Sequence, residues 1–163
     1  SMSGGALRSI GMGRYIARPT TVGSDVTINV ASNNDGRSRQ MGKFTFHVRK
    51  LPDPAAYIQI GTDRFRGGSM PKASLMGTSG IKAAIDDGIL DIQFRVTGFE
   101  TVFFDNMGNA VPMASNGANF TDRQRDTFRK LSRGKRFYIS RITAVGPDGI
   151  SRKLNGAMEV IVK

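Results

Sequence analysis

Hydrophobic and polar residues alternate with period two through much of the chain. In the clearest example, Phe44, Phe46 and Val48 would share one face of a strand, with polar residues between them on the other. This alternation is typical of a strand with one buried side. It stops at a Pro-Asp-Pro stretch, because proline cannot donate a hydrogen bond to a sheet. A hinge between two packed units is therefore predicted there, formed by Pro52, Asp53 and Pro54.

The first predicted unit covers residues 1–51 and contains four candidate strands. An Asn-Asp-Gly sequence between the last two has the residue types that tolerate the positive φ angles of a tight hairpin. A complete immunoglobulin-type sandwich needs about seven strands. The pattern therefore predicts the C-terminal part of a penultimate immunoglobulin-like domain, with an uncovered apolar face and its other strands before Ser1.

The second predicted unit is a C-terminal β-rich domain of residues 56–163, which follows a linker of residues 52–55. Its apolar runs predict six to seven strands, the longest of which carries Gly98 at a bulge. Pro71 is suited to the first turn of a short helix, and a second helix follows later in the chain. The predicted fold class is mainly β: an incomplete immunoglobulin-like β-sandwich followed by a β-sandwich-like domain with two short helices.

The strongest helix signal begins at Thr121. Thr121 and Gln124 form a capping-box pattern, and Gly134 is the predicted stop. The apolar spacing of Phe128 and Leu131 is narrow, so this helix is expected to lie on a surface. Its basic residues exceed what the helix dipole requires. They are the predicted partner-binding residues: Arg125, Arg129, Lys130 and Arg133.

A formal net charge of +11 indicates acidic partners, whether nucleic acid, anionic lipid or protein. A basic nucleic-acid-binding β-domain is the alternative function that charge alone supports. However, no helix-turn-helix pair is apparent, and the aromatic residues alternate into predicted core faces instead of forming a stacking surface. An acidic protein partner is therefore favoured, and no nucleic acid is expected to bind.

The patterns that predict catalysis or metal binding are weak. The chain has no cysteine, which excludes disulfides and thiolate chemistry. His47, the single histidine, is predicted on a solvent face without a catalytic partner. Asp86, Asp87 and Asp91 could in principle bind calcium, but they lack the spacing of an EF-hand loop and are typical of a turn. No enzyme activity, metal or cofactor is predicted.

Three stretches together resemble one family. "GRYIARP" (residues 13–19), "DGRSRQMGKFTFHVRKLPDP" (35–54) and "AVGPDGISRKLN" (144–155) are similar to the C-terminal periplasmic part of the GldM/PorM family. These proteins are inner-membrane components of the type IX secretion system and of gliding motility. The similarity covers nearly the whole chain, and the strand that leads into Pro-Asp-Pro is its most specific piece.

The resemblance implies a structural and interaction segment in the periplasm. The intact protein would have an N-terminal transmembrane helix, pair with GldL or PorL in the membrane and form an elongated homodimer. The resemblance also implies contact with a periplasmic ring built from the lipoprotein GldK or PorK and from GldN or PorN. In this interpretation, the Pro-Asp-Pro joint would help a rod to transmit force.

Overall fold

The computed structural model describes residues 1–163. The chain divides into two compact units, Ser1–Pro52 and Asp53–Lys163. Both units are mainly β. Neither helix of the structure has the length and apolar character needed to cross a membrane.

The first unit has five strands: β1 (Met2–Ser3), β2 (Gly5–Gly11), β3 (Arg14–Pro19), β4 (Asp25–Asn34) and β5 (Arg37–His47). Strands β1, β4 and β5 form one antiparallel sheet, and β2 and β3 form another. The predicted hairpin between β4 and β5 is confirmed, since Asp35 and Gly36 have φ angles of 51° and 75°. Two consecutive positive φ angles are what a type I′ turn requires.

The two sheets of the first unit leave space between them. A cavity of about 330 Å³ is lined by Leu7 and Tyr15 from β2 and β3, and by Ile28 and Val30 from β4. Val26 is the one apolar side chain of this unit that is buried, at 3% exposure. Large apolar side chains of β5, such as Phe44 and Phe46, are instead exposed to solvent, as expected for an uncovered apolar face.

The second unit has nine strands and two helices. They are β6 (Ala55–Ile60), β7 (Asp63–Phe65), β8 (Gly68–Met70), α1 (Lys72–Gly77), β9 (Lys82–Asp86), β10 (Asp91–Phe104), β11 (Ala110–Ser115), α2 (Asp122–Lys130), β12 (Arg136–Val145), β13 (Ser151–Lys153) and β14 (Met158–Val162). The predicted number of six to seven strands was too low. Strands β7 and β8 are only three residues long, and Pro112 within β11 weakens its strand signal.

Strand β10 changes its buried face at Gly98. Phe94 and Val96 are buried before this point, and Phe99 and Phe103 after it. Because side chains alternate along a strand, this change of parity requires one extra residue. The register between β10 and β12 shifts at Gly98, which confirms the predicted bulge. The N-terminal part of β10 pairs with β9 and the C-terminal part pairs with β11. Strand β10 therefore connects β9 and β11 within one sheet.

Three phenylalanine rings form the centre of the core between α2 and the sheet. Phe128 of α2 lies 5.1 Å from Phe137 of β12, and Phe137 lies 5.1 Å from Phe103 of β10, measured between ring centroids. Phe128 is 1% exposed and Phe137 is fully buried. Helix α2 therefore covers the sheet through Phe128, and its other face carries the charged residues.

The predicted start of α2 is confirmed and its predicted end was wrong. The Thr121 hydroxyl accepts a hydrogen bond from the Gln124 backbone, and the Gln124 side chain accepts one from the Thr121 backbone. The helix ends at Lys130 and is capped by Leu131 instead of continuing to Gly134. The Lys72 ammonium of α1 donates to the backbone oxygens of Arg129 and Leu131, at 2.6 and 2.8 Å. This contact satisfies carbonyls at the end of α2 and comes from another element, so the local pattern did not contain it.

Candidate interaction surface

Arg125, the first of the predicted partner-binding residues, is half-buried and points towards the second unit's own backbone. Its Nη2 donates to the carbonyl oxygens of Thr78 and Ser79, at 3.1 and 3.3 Å. The next residue, Gly80, lies so close to a neighbouring segment that a Cβ there would be 2.0 Å from the Ala118 carbonyl oxygen. Arg125 therefore ties α2 to a tight backbone contact, and its guanidinium is engaged within the chain.

The other three basic residues differ in how far they are engaged. The Arg129 side chain forms an ion pair with Asp126, one turn earlier in α2. Lys130 and Arg133 are exposed, and neither side chain makes a hydrogen bond or ion pair within the chain. Arg133 also lies beyond the end of the helix. The structure thus separates four residues that had equal standing in the sequence into two engaged side chains and two free ones.

Gln124 has a second role that the sequence analysis missed. It is fully buried, and its Nε2 donates to the Thr101 hydroxyl at 3.0 Å and to the Met113 carbonyl oxygen at 2.9 Å. Gln124 therefore caps the helix and also attaches it to β10 and β11. The available signal was spacing, because Gln124 lies four residues before Phe128 and shares its helix face. A polar residue on the buried face of an amphipathic helix needs hydrogen-bond partners there.

A buried arginine lies beside the Pro-Asp-Pro stretch. Arg152 is 8% exposed, and its two terminal nitrogens bind the two carboxylate oxygens of Asp148 at 3.1 and 2.6 Å. This hydrogen bonding lowers the pKa of Asp148 to about 2 and raises the pKa of Arg152. The guanidinium also lies 5.4 Å from the centre of the Phe94 ring. Its Nε has no hydrogen-bond partner and is 3.9 Å from an Asp53 oxygen.

Comparison with protein families assigns both parts of the chain. Residues 1–49 match the GldM third domain, and residues 52–163 match the GldM C-terminal domain. The chain belongs to the GldM family. Members of the GldM family are structural components of type IX secretion and gliding motility. They are anchored in the membrane and have a periplasmic C-terminal region. No match was found among the curated proteins.

The Pro-Asp-Pro stretch of this GldM-family chain is divided between the two units. Pro52 is the last residue of the first unit, and Asp53 is the first residue of the second. Pro54 is buried and, with Ile142 and Leu154, lines an open pocket of about 220 Å³ in the second unit. The hinge role of Pro52, Asp53 and Pro54 stays a prediction, and we note that Pro54 is held by its surroundings.

His47 of the GldM third-domain region has a partner that the strand pattern did not reveal. Its Nδ1 lies 2.7 Å from Asp25 Oδ1, because Asp25 and His47 are opposite each other in the β4–β5 pair. The expectation that no partner lies nearby was therefore wrong. Both side chains are more than half exposed, so the pair is a surface contact.

The three aspartates of the GldM C-terminal domain that were weighed as a calcium site are engaged with groups of the chain itself, and Asp86 and Asp91 share Arg64. Asp86 binds Arg64 at 2.8 Å. Asp87 accepts hydrogen bonds from the backbone amides of Leu90 and Ile89, which hold the pKa of its carboxyl below the usual value. This is the hydrogen bonding of an aspartate turn. The nearest basic partner of Asp91 is again Arg64, at 3.8 Å.

Proposed function

We propose that this chain is a periplasmic structural and interaction segment of an inner-membrane GldM component, and that it performs no catalysis. It would contact the ring of GldK or PorK and GldN or PorN and transmit force to it. The observation that carries this proposal is the match of the chain to two successive GldM domains. The membrane part that would pair with GldL or PorL, and the homodimer of the intact protein, belong to the same proposal.

The contact with the ring would use the free basic side chains at the end of α2. Lys130 and Arg133 are exposed and unpaired, so they can meet acidic groups without first losing an internal partner. Arg125 and Arg129 would have to break contacts within the chain to do so. We therefore assign the partner contact to Lys130 and Arg133 and give Arg125 a structural role.

Force would enter the second unit through a strand. Strand β6 begins at Ala55, directly after Pro54, and pairs with β9 in the sheet. Asp53 and the buried Arg152 add an electrostatic contact of 3.9 Å beside this entry point. A load applied at Asp53 would therefore act on a strand whose first residue, Ala55, already pairs with the neighbouring strand β9.

The test is a charge reversal with a matched control. The double variant K130E/R133E and the control K82E/K153E change the net charge equally, and all four side chains are exposed in the second unit. Electrostatic steering affects mainly the association rate and weakens with salt. For binding to purified ring proteins at low salt, we expect K130E/R133E to lower the association rate by about tenfold. The control variant should bind like the unmodified chain.

Two outcomes would contradict the proposal. If the unmodified chain does not bind the ring proteins at low or physiological salt, the proposed contact with the ring is contradicted. If the two double variants bind equally well and melt equally, Lys130 and Arg133 are not the contact. Titration with double-stranded DNA tests the alternative function, since a phosphate-driven complex would weaken steeply as salt rises.

A further inference from the structure

An open pocket lies at the end of the second unit where α2 stops. It has a volume of about 340 Å³, and Phe104, Leu131 and Tyr138 form its apolar wall. Lys135 and Arg136 stand on its rim. Phe104 is 45% exposed although it is an aromatic residue at the end of a central strand. A concave site that combines an apolar wall with a few polar groups is the usual form of a binding site.

The pocket is held in shape by contacts behind it. The Tyr138 hydroxyl and Arg136 Nη1 both donate to the same Glu159 oxygen, at 3.1 and 3.0 Å. The rings of Phe104 and Tyr138 meet edge to face with centroids 6.0 Å apart. The Leu131 carbonyl oxygen accepts a hydrogen bond from Lys72. A pocket that is already ordered loses little conformational entropy when it binds.

Most of the charged side chains around the pocket that have no ion-pair partner are positive. Lys135 is exposed and has no ion pair, and Lys130 and Arg133 flank the pocket residues Leu131 and Gly134 in sequence. Two carboxylates are also near. Glu159 is occupied by Arg136 and Tyr138. Asp105 lines the pocket and stays ionised, because hydrogen bonds from the Asn109 side chain and from the Asn109 and Met107 amides lower the pKa of its carboxyl; its single negative charge is outnumbered by Lys130, Arg133 and Lys135.

We propose that this pocket binds an acidic protein segment that carries one large apolar side chain. The apolar side chain would enter between Phe104, Leu131 and Tyr138, and carboxylates beside it would meet Lys135 and the flanking Lys130 and Arg133. This inference rests on the proposed function, since it names the kind of segment on the ring partner that docks. It also enlarges the contact from two charges to a pocket with an apolar centre and a charged rim.

A protein segment fits the pocket better than nucleic acid does. Base stacking needs a free aromatic face, whereas Tyr138 is half-buried and its ring and that of Phe104 pack against each other nearly at right angles. The free cations beside the pocket, Lys130, Arg133 and Lys135, lie together at the end of α2 and in the turn after it, instead of along a groove that could follow a phosphate backbone. An apolar anchor with flanking carboxylates uses both the wall and the rim.

The first experiment measures binding of the full chain to a purified ring protein. Phe104→Ala removes the apolar wall, and Ile150→Ala is its control because Ile150 is 54% exposed in the same unit. Lys135→Glu reverses the rim charge without touching a buried group, and Lys82→Glu is its control. We expect F104A to weaken binding about tenfold, chiefly through faster dissociation, as for an anchor residue. K135E should weaken it about threefold at low salt and less at physiological salt.

The second experiment uses two synthetic peptides and nuclear magnetic resonance of the labelled full chain. The first peptide is Asp-Glu-Phe-Glu-Asp with blocked ends, and the second has Ala in place of Phe. We expect the first peptide to shift the amide signals around Phe104, Leu131 and Lys135, and the second to shift them at least about fivefold less at equal concentration. Oligothymidine and anionic lipid vesicles are titrated in parallel.

The outcomes separate this inference from the proposed function. If the ring protein binds and neither F104A nor K135E weakens it, the pocket is overturned and the proposed function stands. If the ring protein does not bind but the Phe peptide shifts the pocket signals, the pocket stands and the proposed ring contact falls. If the two peptides act alike, or if only oligothymidine or vesicles shift these signals, the apolar-anchored acidic segment is overturned. Melting curves show whether F104A is folded, and K135E tests the rim if it is not.

Discussion

The first unit exposes most of its large apolar side chains, whereas the second unit has a continuous core. Tyr15, Phe44 and Phe46 of the first unit are 59%, 54% and 54% exposed. In the second unit, Phe128 of α2 and Phe137 of the sheet are at most 1% exposed, and their aromatic rings pack against each other. Both units contain alternating strands, so alternation by itself does not create a core. An apolar strand face is buried only when another layer covers it.

The source of this difference is the second layer. In the second unit, α2 lies on β10 and β12 and is fastened there by Phe128 and Gln124. The first unit has two small sheets with a cavity between them and no helix. A segment of roughly 50 residues is close to the lower limit for an independent core. We therefore expect the two units to respond very differently to the same type of substitution.

The largest expected difference is between two Phe→Ala substitutions. F137A creates a cavity in the core of the second unit and should reduce the free energy of unfolding by about 3–5 kcal/mol. F46A removes a side chain that is 54% exposed, and should change the stability of the first unit by no more than about 0.5 kcal/mol. Urea unfolding followed by the amide signals of each unit measures both values. A large cost for F46A would show that the first unit is covered in solution.

The next largest effect is expected at the buried ion pair. D148N leaves Arg152 buried without its carboxylate and should destabilise the second unit by about 3 kcal/mol. D53N is the control, because Asp53 is 61% exposed and 3.9 Å away, and it should have a much smaller effect. Thermal melting of the two variants at neutral pH makes the comparison. Equal costs would show that Arg152 depends on Asp53 as much as on Asp148.

The same pair predicts how stability depends on pH. The pKa of Asp148 is about 2 in the folded state and 3.8 ordinarily. The folded value is the lower one, so the ionised carboxylate stabilises the protein above 3.8, and this contribution is lost as pH falls from 3.8 towards 2. D148N should lack this part of the acid sensitivity. Urea midpoints of both proteins across that range test the sign, and parallel curves would contradict it.

A smaller effect is expected at the buried end of α2. Q124A leaves the Thr101 hydroxyl and the Met113 carbonyl without their partner and removes half of the capping box. We expect a loss of about 1–3 kcal/mol in the stability of the second unit. The matched control is R123A, one residue earlier and exposed. If both variants melt alike, Gln124 does not anchor the helix.

A small effect is also expected at the exposed pair of the first unit. D25N removes the partner of His47, but both side chains are more than half exposed. Exposed ion pairs contribute about 0–1 kcal/mol, so D25N should change stability by less than D148N does. Unfolding of the first unit in D25N gives the value directly. A cost as large as that of D148N would remove the contrast between an exposed and a buried pair.

Sequence patterns predicted the features that depend on neighbouring residues. The Asp35-Gly36 hairpin, the Thr121 cap and the bulge at Gly98 are all confirmed. The missed features depend on distant partners. Strand β8 is three residues long and exists because it pairs in parallel with β14, at the far end of the chain. The carbonyls at the end of α2 accept hydrogen bonds from Lys72, more than fifty residues earlier.

The candidate surface shows the same limit. Arg125 and Lys130 belong to one basic helix segment, and no local pattern distinguishes their roles. The fold places Arg125 against the Thr78 and Ser79 carbonyls and leaves Lys130 in solvent. The pocket at Phe104 was missed for a related reason, because its wall combines β10, β12 and the turn after α2. Sequence could identify an excess of positive charge but could not say which charges are free.

The sequence by itself determined the local conformations, the net charge and the resemblance to GldM, because each of these depends on residue identity and short-range order. The tertiary structure alone decided which apolar faces are covered and which charged side chains have internal partners. Burial and pairing require a second element to arrive at the right place, and that element can lie anywhere in the chain. The same alternating pattern therefore led to a buried side chain at Phe137, where another layer covers the strand, and to an exposed one at Phe46, where none does.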